Sequence, residues 1–188
     1  MRPIKNFDTV NASGSRERLK PGGYVVRITA VKDNEKKECL ELLFDITEGP
    51  AAGYYSDVFF DDKPYAHRLF RSYKEAALGM FKRFTEAVDA SNGTHFTEQV
   101  KTGLKEDQLV GKVLGIVLAE EEYINNRGEV ARRLYDDVRQ DMPAEKIRAG
   151  EYVVPDIKKY KPKEESAAPV APDQPQETGI IPDPDIPF

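Results

Sequence analysis

The period of the apolar residues changes twice along this chain, and that succession restricts the folds open to it. From Tyr24 the spacing is two: Tyr24, Val26, Ile28 and Ala30 face one way while Arg27 and Thr29 face the other, the mark of a half-buried strand. After the charged turn Asp33-Asn34-Glu35-Lys36-Lys37, Leu40, Leu42, Phe44 and Ile46 alternate with Glu41, Leu43, Asp45 and Thr47. Punctuation by Gly49-Pro50 and Gly53 sets off a β-branched and aromatic run, Tyr54 to Phe60, which predicts a third strand. Past Pro64 the spacing becomes three and four through Leu69, Tyr73, Ala76, Met80, Phe84 and Val88, predicting an amphipathic helix that stops near Ser91-Asn92-Gly93. Leu109 to Leu118 then reads as a well-buried fourth strand, and Asn125-Asn126-Arg127-Gly128 as the turn into a fifth around Val130 to Val138.

Strands in the order β-β-β-α-β-β predict a mainly β fold, a five-stranded oligonucleotide-binding (OB) barrel with a helix between strands 3 and 4. A generic α+β sandwich is the alternative. Residues 1–20 lack periodicity and hold Asn11, Ser13, Gly14 and Ser15, so they read as a flexible arm before the folded domain at 21–160. Beyond Pro155 the composition shifts. Seven of the 13 prolines (Pro162, Pro169, Pro172, Pro175, Pro182, Pro184 and Pro187) fall among the last 27 residues, mixed with Ala, Glu, Gln and Asp. Such a segment cannot bury enough apolar surface to repay ordering, so 161–188 is expected to be a disordered acidic tail.

Charge follows the same division. The chain has 28 Lys and Arg against 33 Asp and Glu, a net charge of −5, but six of the acids lie after residue 163 with no basic residue among them, leaving the rest balanced at 28 to 27. A balanced body can still carry a basic groove, with which an acidic tail competes for phosphate. Cys39 alone permits no internal disulfide or cysteine zinc cluster, and His67 and His95 suggest no metal site, so no cofactor is expected. No apolar run approaches the roughly 20 residues that span a bilayer, and the start of the chain lacks a signal peptide's apolar stretch. A soluble cytoplasmic protein without a membrane partner is the expectation.

Binding of single-stranded DNA needs cations for phosphate and aromatic faces on which bases stack, each stack worth about 1–3 kcal/mol. Arg68, Arg71, Tyr73, Lys74, Lys82 and Arg83 cluster on or beside the expected helix. Arg132, Arg133, Tyr135 and Arg139 lie along the fifth strand, where alternation puts Arg133, Tyr135 and Arg139 on one face, and Arg27 and Lys112 could extend the path. The competing account makes the helix set a solvated face, neutralised by Glu75 and Glu86, with Tyr73 in the core. Asp61-Asp62, Glu120-Glu121-Glu122 and Asp136-Asp137 with Asp141 are the carboxylates that a metal-dependent nuclease would need. They lack the fixed spacing of a metal motif, and no nucleophile is placed beside a base, so a non-enzyme is expected.

The terminus Asp183-Pro184-Asp185-Ile186-Pro187-Phe188 resembles the C-terminal tip of bacterial single-stranded DNA-binding proteins, departing from it at Pro184, which interrupts the aspartate run. An exposed terminal Phe beside its own carboxylate is a pocket-seeking anchor, and Asp183 and Asp185 would steer it to a basic partner. The resemblance implies recruitment of replication or recombination proteins through Asp183, Asp185, Ile186, Pro187 and Phe188. Within the body, Phe70-Arg71-Ser72-Tyr73-Lys74, Gly111-Lys112 with Glu120-Glu121-Glu122-Tyr123, and Ile147-Arg148-Ala149-Gly150-Glu151-Tyr152-Val153-Val154-Pro155 resemble a family of small bacteriophage proteins, some described as single-stranded DNA-binding. That likeness implies a phage protein acting in the bacterial host cell, on single-stranded DNA in replication, recombination or repair. A homo-oligomer is compatible, since barrel edges can pair between subunits. An OB-fold adaptor for a recombinase or polymerase and a metal-dependent nuclease are the rival functions.

Overall fold

The computed structural model describes residues 18–56 and 68–161. Strand β1 runs Gly22–Asn34, β2 Cys39–Ile46, β3 Arg68–Ser72, β4 Val113–Ile124 and β5 Val130–Asp136. Helix α1 spans Leu78–Asn92, α2 Phe96–Gln99 and α3 Ala144–Arg148. The strands form one antiparallel sheet in the order β3-β2-β1-β4-β5. Two long strands carry it. β1 pairs with β4 through Gly22–Arg27 and with β2 through Val26–Asn34, changing register between Ile28 and Ala30, a bulge that bends the strand from one partner to the other. β4 gives its first half to β1 and its second half to β5.

The core lies between α1 and one face of this bent sheet. Val26, Ile28, Leu42, Ile46, Leu69, Leu114 and Ile116 point inward from the strands, and Phe81, Phe84 and Val88 meet them from the helix. Leu19 joins this core at 8% exposure, so the expected arm of 1–20 is packed at its end, while 1–17 lie outside the described residues. The helix stops where the sequence indicated, because Gly93 takes the left-handed conformation (φ 63°) and its N–H returns to the Asp89 carbonyl.

The opposite face of β1 and β4 is closed by the chain after β5. Met142 exchanges main-chain hydrogen bonds with Gly115 (2.8 and 3.0 Å), prolonging the pairing along β4. Further on, Lys158 bonds to Glu120 and Glu122 on the other side of that strand (3.0 and 2.9 Å). Between these two ties, Ile147 and Tyr152 lie over Gly115 and Gly23, with no room for a β-carbon at either glycine.

Two expected elements move. Of the run expected as the third strand, Tyr54–Ser56 form a turn and 57–60 lie outside the described residues. The observed third strand is Arg68–Ser72, taken from the stretch expected to open the helix. Leu69 and Tyr73 happen to be four apart, which mimics helical spacing, but the true pattern there is two: Leu69 and Arg71 point in, Arg68 and Phe70 out. The helix therefore begins only at Leu78, and its buried residues are Phe81, Phe84, Thr85, Ala87 and Val88, leaving Met80 exposed.

Candidate nucleic-acid interface

β3 and β5 are the two ends of the sheet, and the sheet is not closed by pairing between them. What joins them is Arg71. Its Nε and Nη2 donate to the two carboxylate oxygens of Asp141 (both 2.6 Å), and its Nη1 donates to Asp136 at the end of β5 (2.7 Å) and to the Phe70 carbonyl (3.1 Å). The guanidinium lies 5.7 Å from the centre of the Phe84 ring and the residue is 2% exposed. Burial works against the charge on Arg71, but Asp136 and Asp141 more than offset it, and the arginine is held above its ordinary value. Asp141, sharing one guanidinium with a second carboxylate, is raised because burial outweighs the pull of Arg71. Arg71 was expected to meet phosphate. Strand alternation turns it inside, where its donors are spent on two carboxylates.

A groove of about 410 Å³ runs along the seam between β3 and β5 and is lined by Phe70, Arg133, Leu134 and Tyr135, with Phe44 and Tyr55 beneath. Phe70, 45% exposed, is the aromatic that the helical reading of this stretch concealed. Reading 68–72 with a period of two would have found it, as the outward residue between two inward ones.

Apart from Arg71 and Arg68, the expected cations divide into three groups. On the β4–β5 hairpin, Arg132 pairs with Glu122 (3.6 Å) and Arg133 with Glu121 (2.8 Å), and Arg133 also lies 5.0 Å from the centre of the Tyr123 ring. Lys158 reaches the Tyr135 ring and Glu121, and Arg18 reaches Glu120 (3.8 Å) and the Arg132 carbonyl. Arg133 and Tyr135 share a face as expected, but Arg139 lies past the strand in the turn Val138–Gln140. A second group adjoins α1. Arg83 donates to the Arg139 carbonyl, and Lys82 pairs with Glu86 (3.6 Å). The third group is dispersed: Arg27 is exposed on β1, Lys74 is exposed before the turn that leads into α1, and Lys112 lies 5.9 Å from the centre of the Phe96 ring. Arg68 pairs with Glu41 (3.2 Å). Tyr73 packs on Phe81 and donates its hydroxyl to Asp33 (2.9 Å), where burial and Asp33 push it up to about 12.

The carboxylates weighed as metal ligands are engaged elsewhere. Glu120, Glu121 and Glu122 face the cations just named, and Asp136 and Asp141 hold Arg71, while Asp137 accepts from the Arg139 N–H and the Gln140 side chain. Asp61-Asp62 and the tip Asp183–Phe188 lie outside the described residues. Among the described residues no group of three or more His, Cys, Asp or Glu is placed to hold a metal ion, and no helix is long and apolar enough to cross a membrane. Comparison of the sequence with protein-family models finds no match, and comparison with curated proteins finds none.

Proposed function

We propose that this is a phage single-stranded DNA-binding protein of the OB class, which coats exposed strands without catalysis or sequence preference and recruits replication or recombination proteins through Asp183–Phe188. The observation that carries this reading is connectivity: β1 is shared between β2 and β4, the helix follows β3, and the two end strands face each other across a seam bridged by Arg71. An OB barrel has this strand order, with β3 brought to β5. The seam supports the same reading, since the exposed Phe70 lines it together with Arg133 and Tyr135, the last carrying Lys158 over its ring. Phosphate would have to displace Glu121 and Glu122 from Arg133 and Arg132, so each contact is worth less than a free arginine would give.

That same pairing favours a second reading, an adaptor whose near-neutral hairpin meets a recombinase or polymerase. Fluorescence anisotropy with labelled oligo-dT, duplex DNA and RNA separates the two. For the full chain and for a variant ending at Thr178, the proposal expects tight binding to oligo-dT that weakens with salt, with a slope near −0.7 per phosphate neutralised, and is kept or strengthened without the tail. Absence of binding by both chains would overturn it and leave the adaptor.

A further inference from the structure

A second depression, about 460 Å³, lies between α1 and the chain that leads from β5 into α3. Ala87 and Ala90 form a shallow floor beside Met142 and Pro143, and three cations stand around it: Arg83 from α1, Arg139 from the turn after β5 and Lys146 from α3. Arg83 is tied to the Arg139 carbonyl, which holds residues 56 apart in the sequence side by side. Three carboxylates also border the depression. Glu86 has Lys82 and Asp141 has Arg71, while Glu151 pairs with no cation among the described residues. Arg83 is near enough to Asp141 to favour its ionised form, while Arg139 and Lys146 are exposed. Neither of those two pairs with a described carboxylate.

Two exposed cations at the rim with no described carboxylate of their own raise the local positive potential, an arrangement that an anion relieves. Guanidinium groups match the oxygens of a phosphate in pairs, whereas an ammonium meets them as a point charge. The depression and the seam are bordered by one stretch of chain: Asp136 and Val138 line the groove between β3 and β5, and Arg139, Gln140 and Asp141, which follow directly, line the cleft.

We propose that this cleft is a phosphodiester site, where Arg83, Arg139 and Lys146 take the backbone of a single strand as it leaves the seam along the α1 side. The assignment rests on the single-strand reading and adds a route and a residue, Lys146, to it. Oligo-dT anisotropy over a range of salt tests it on the full chain, comparing Arg139→Gln/Lys146→Gln with Lys36→Gln/Lys37→Gln, which removes the same charge from the β1–β2 turn. The cleft variant is expected to bind about tenfold more weakly at moderate salt and to lose about 1.4 from the salt slope, while the turn variant keeps its slope. The charge-preserving Arg139→Lys/Lys146→Arg is expected to retain the slope, and melting curves that match the unaltered chain exclude unfolding as the cause. Binding by the cleft variant with an unchanged slope would overturn the cleft assignment alone. Failure of the unaltered chain to bind oligo-dT would overturn the single-strand reading and the cleft with it.

Discussion

Arg71 holds together the parts of the chain that no strand pairing joins. Among the described residues it is the largest fully buried side chain, and its two carboxylate partners come from the end of β5 and from the chain beyond it. Replacing it with Met would leave the buried Asp141 and the part-buried Asp136 without the cation they share. Breaking a buried pair from one side typically costs about 3–5 kcal/mol. Arg71→Met should therefore lower the urea midpoint at neutral pH sharply, and a midpoint equal to the parent's would show that the seam is held by other contacts. Asp89 has a comparable role at the end of α1. Its oxygens accept from the N–H groups of Phe96 and Thr97 (2.6 and 2.9 Å) and from the hydroxyls of Thr94 and Thr97 (2.8 and 2.7 Å), fixing α2 beneath the core. Burial alone would raise this carboxyl, but those four donors hold it below the ordinary value. A depressed carboxylate contributes stability above its unfolded value, about 3.9, and loses it as pH falls through the lower folded value. Asp89→Asn should cost about 1–2 kcal/mol at neutral pH and flatten the loss of stability in acid below about pH 4, read from urea midpoints across that range. A parallel acid slope in both proteins would remove Asp89 as its source.

Among the elements, α3 and the chain after it close the sheet's second face, and they can do so because two strand positions have no side chain. A β-carbon at Gly115 would meet the Ile147 side chain and approach the Met142 carbonyl to 3.1 Å, and one at Gly23 would meet the Tyr152 ring at 2.6 Å. Gly115→Ala is expected to cost about 1–3 kcal/mol through forced displacement of α3, with part of that recovered on adding Ile147→Ala. Strict additivity of the two substitutions would mean that the contact is not the cause. The same region marks the limit of sequence reading at this scale. A glycine inside a strand is compatible with a bend or with a close approach, and nothing near Gly115 in the sequence decides between them, because the segment that approaches it is separated by a whole strand and carries no periodicity of its own. For β3 the failure was of another kind: five residues offer too few repeats to distinguish a period of two from one of four, and a buried arginine reads as a polar position.

For the whole molecule, the expected division into a folded body and an acidic tail implies that removing residues 179–188 leaves the core intact, since no described residue of the core lies beyond Ala144. On that division the variant ending at Thr178 should melt within about 1 °C of the full chain, because stability would be set by area buried within the body alone. A larger drop would place the tail on the body. The sequence by itself determined β1, β2, β4 and β5, the cap at Gly93, the hairpin into β5 and the compositional break before the tail, because these depend on local periodicity and on residues with special backbone preferences. Only the tertiary structure decided which charged groups are available. Whether an arginine meets solvent, a glutamate across a strand pair or two aspartates in the core depends on register and on segments distant in sequence, so Arg71 went inside, Arg132 and Arg133 met Glu122 and Glu121, and Arg83 came to stand beside Arg139 and Lys146.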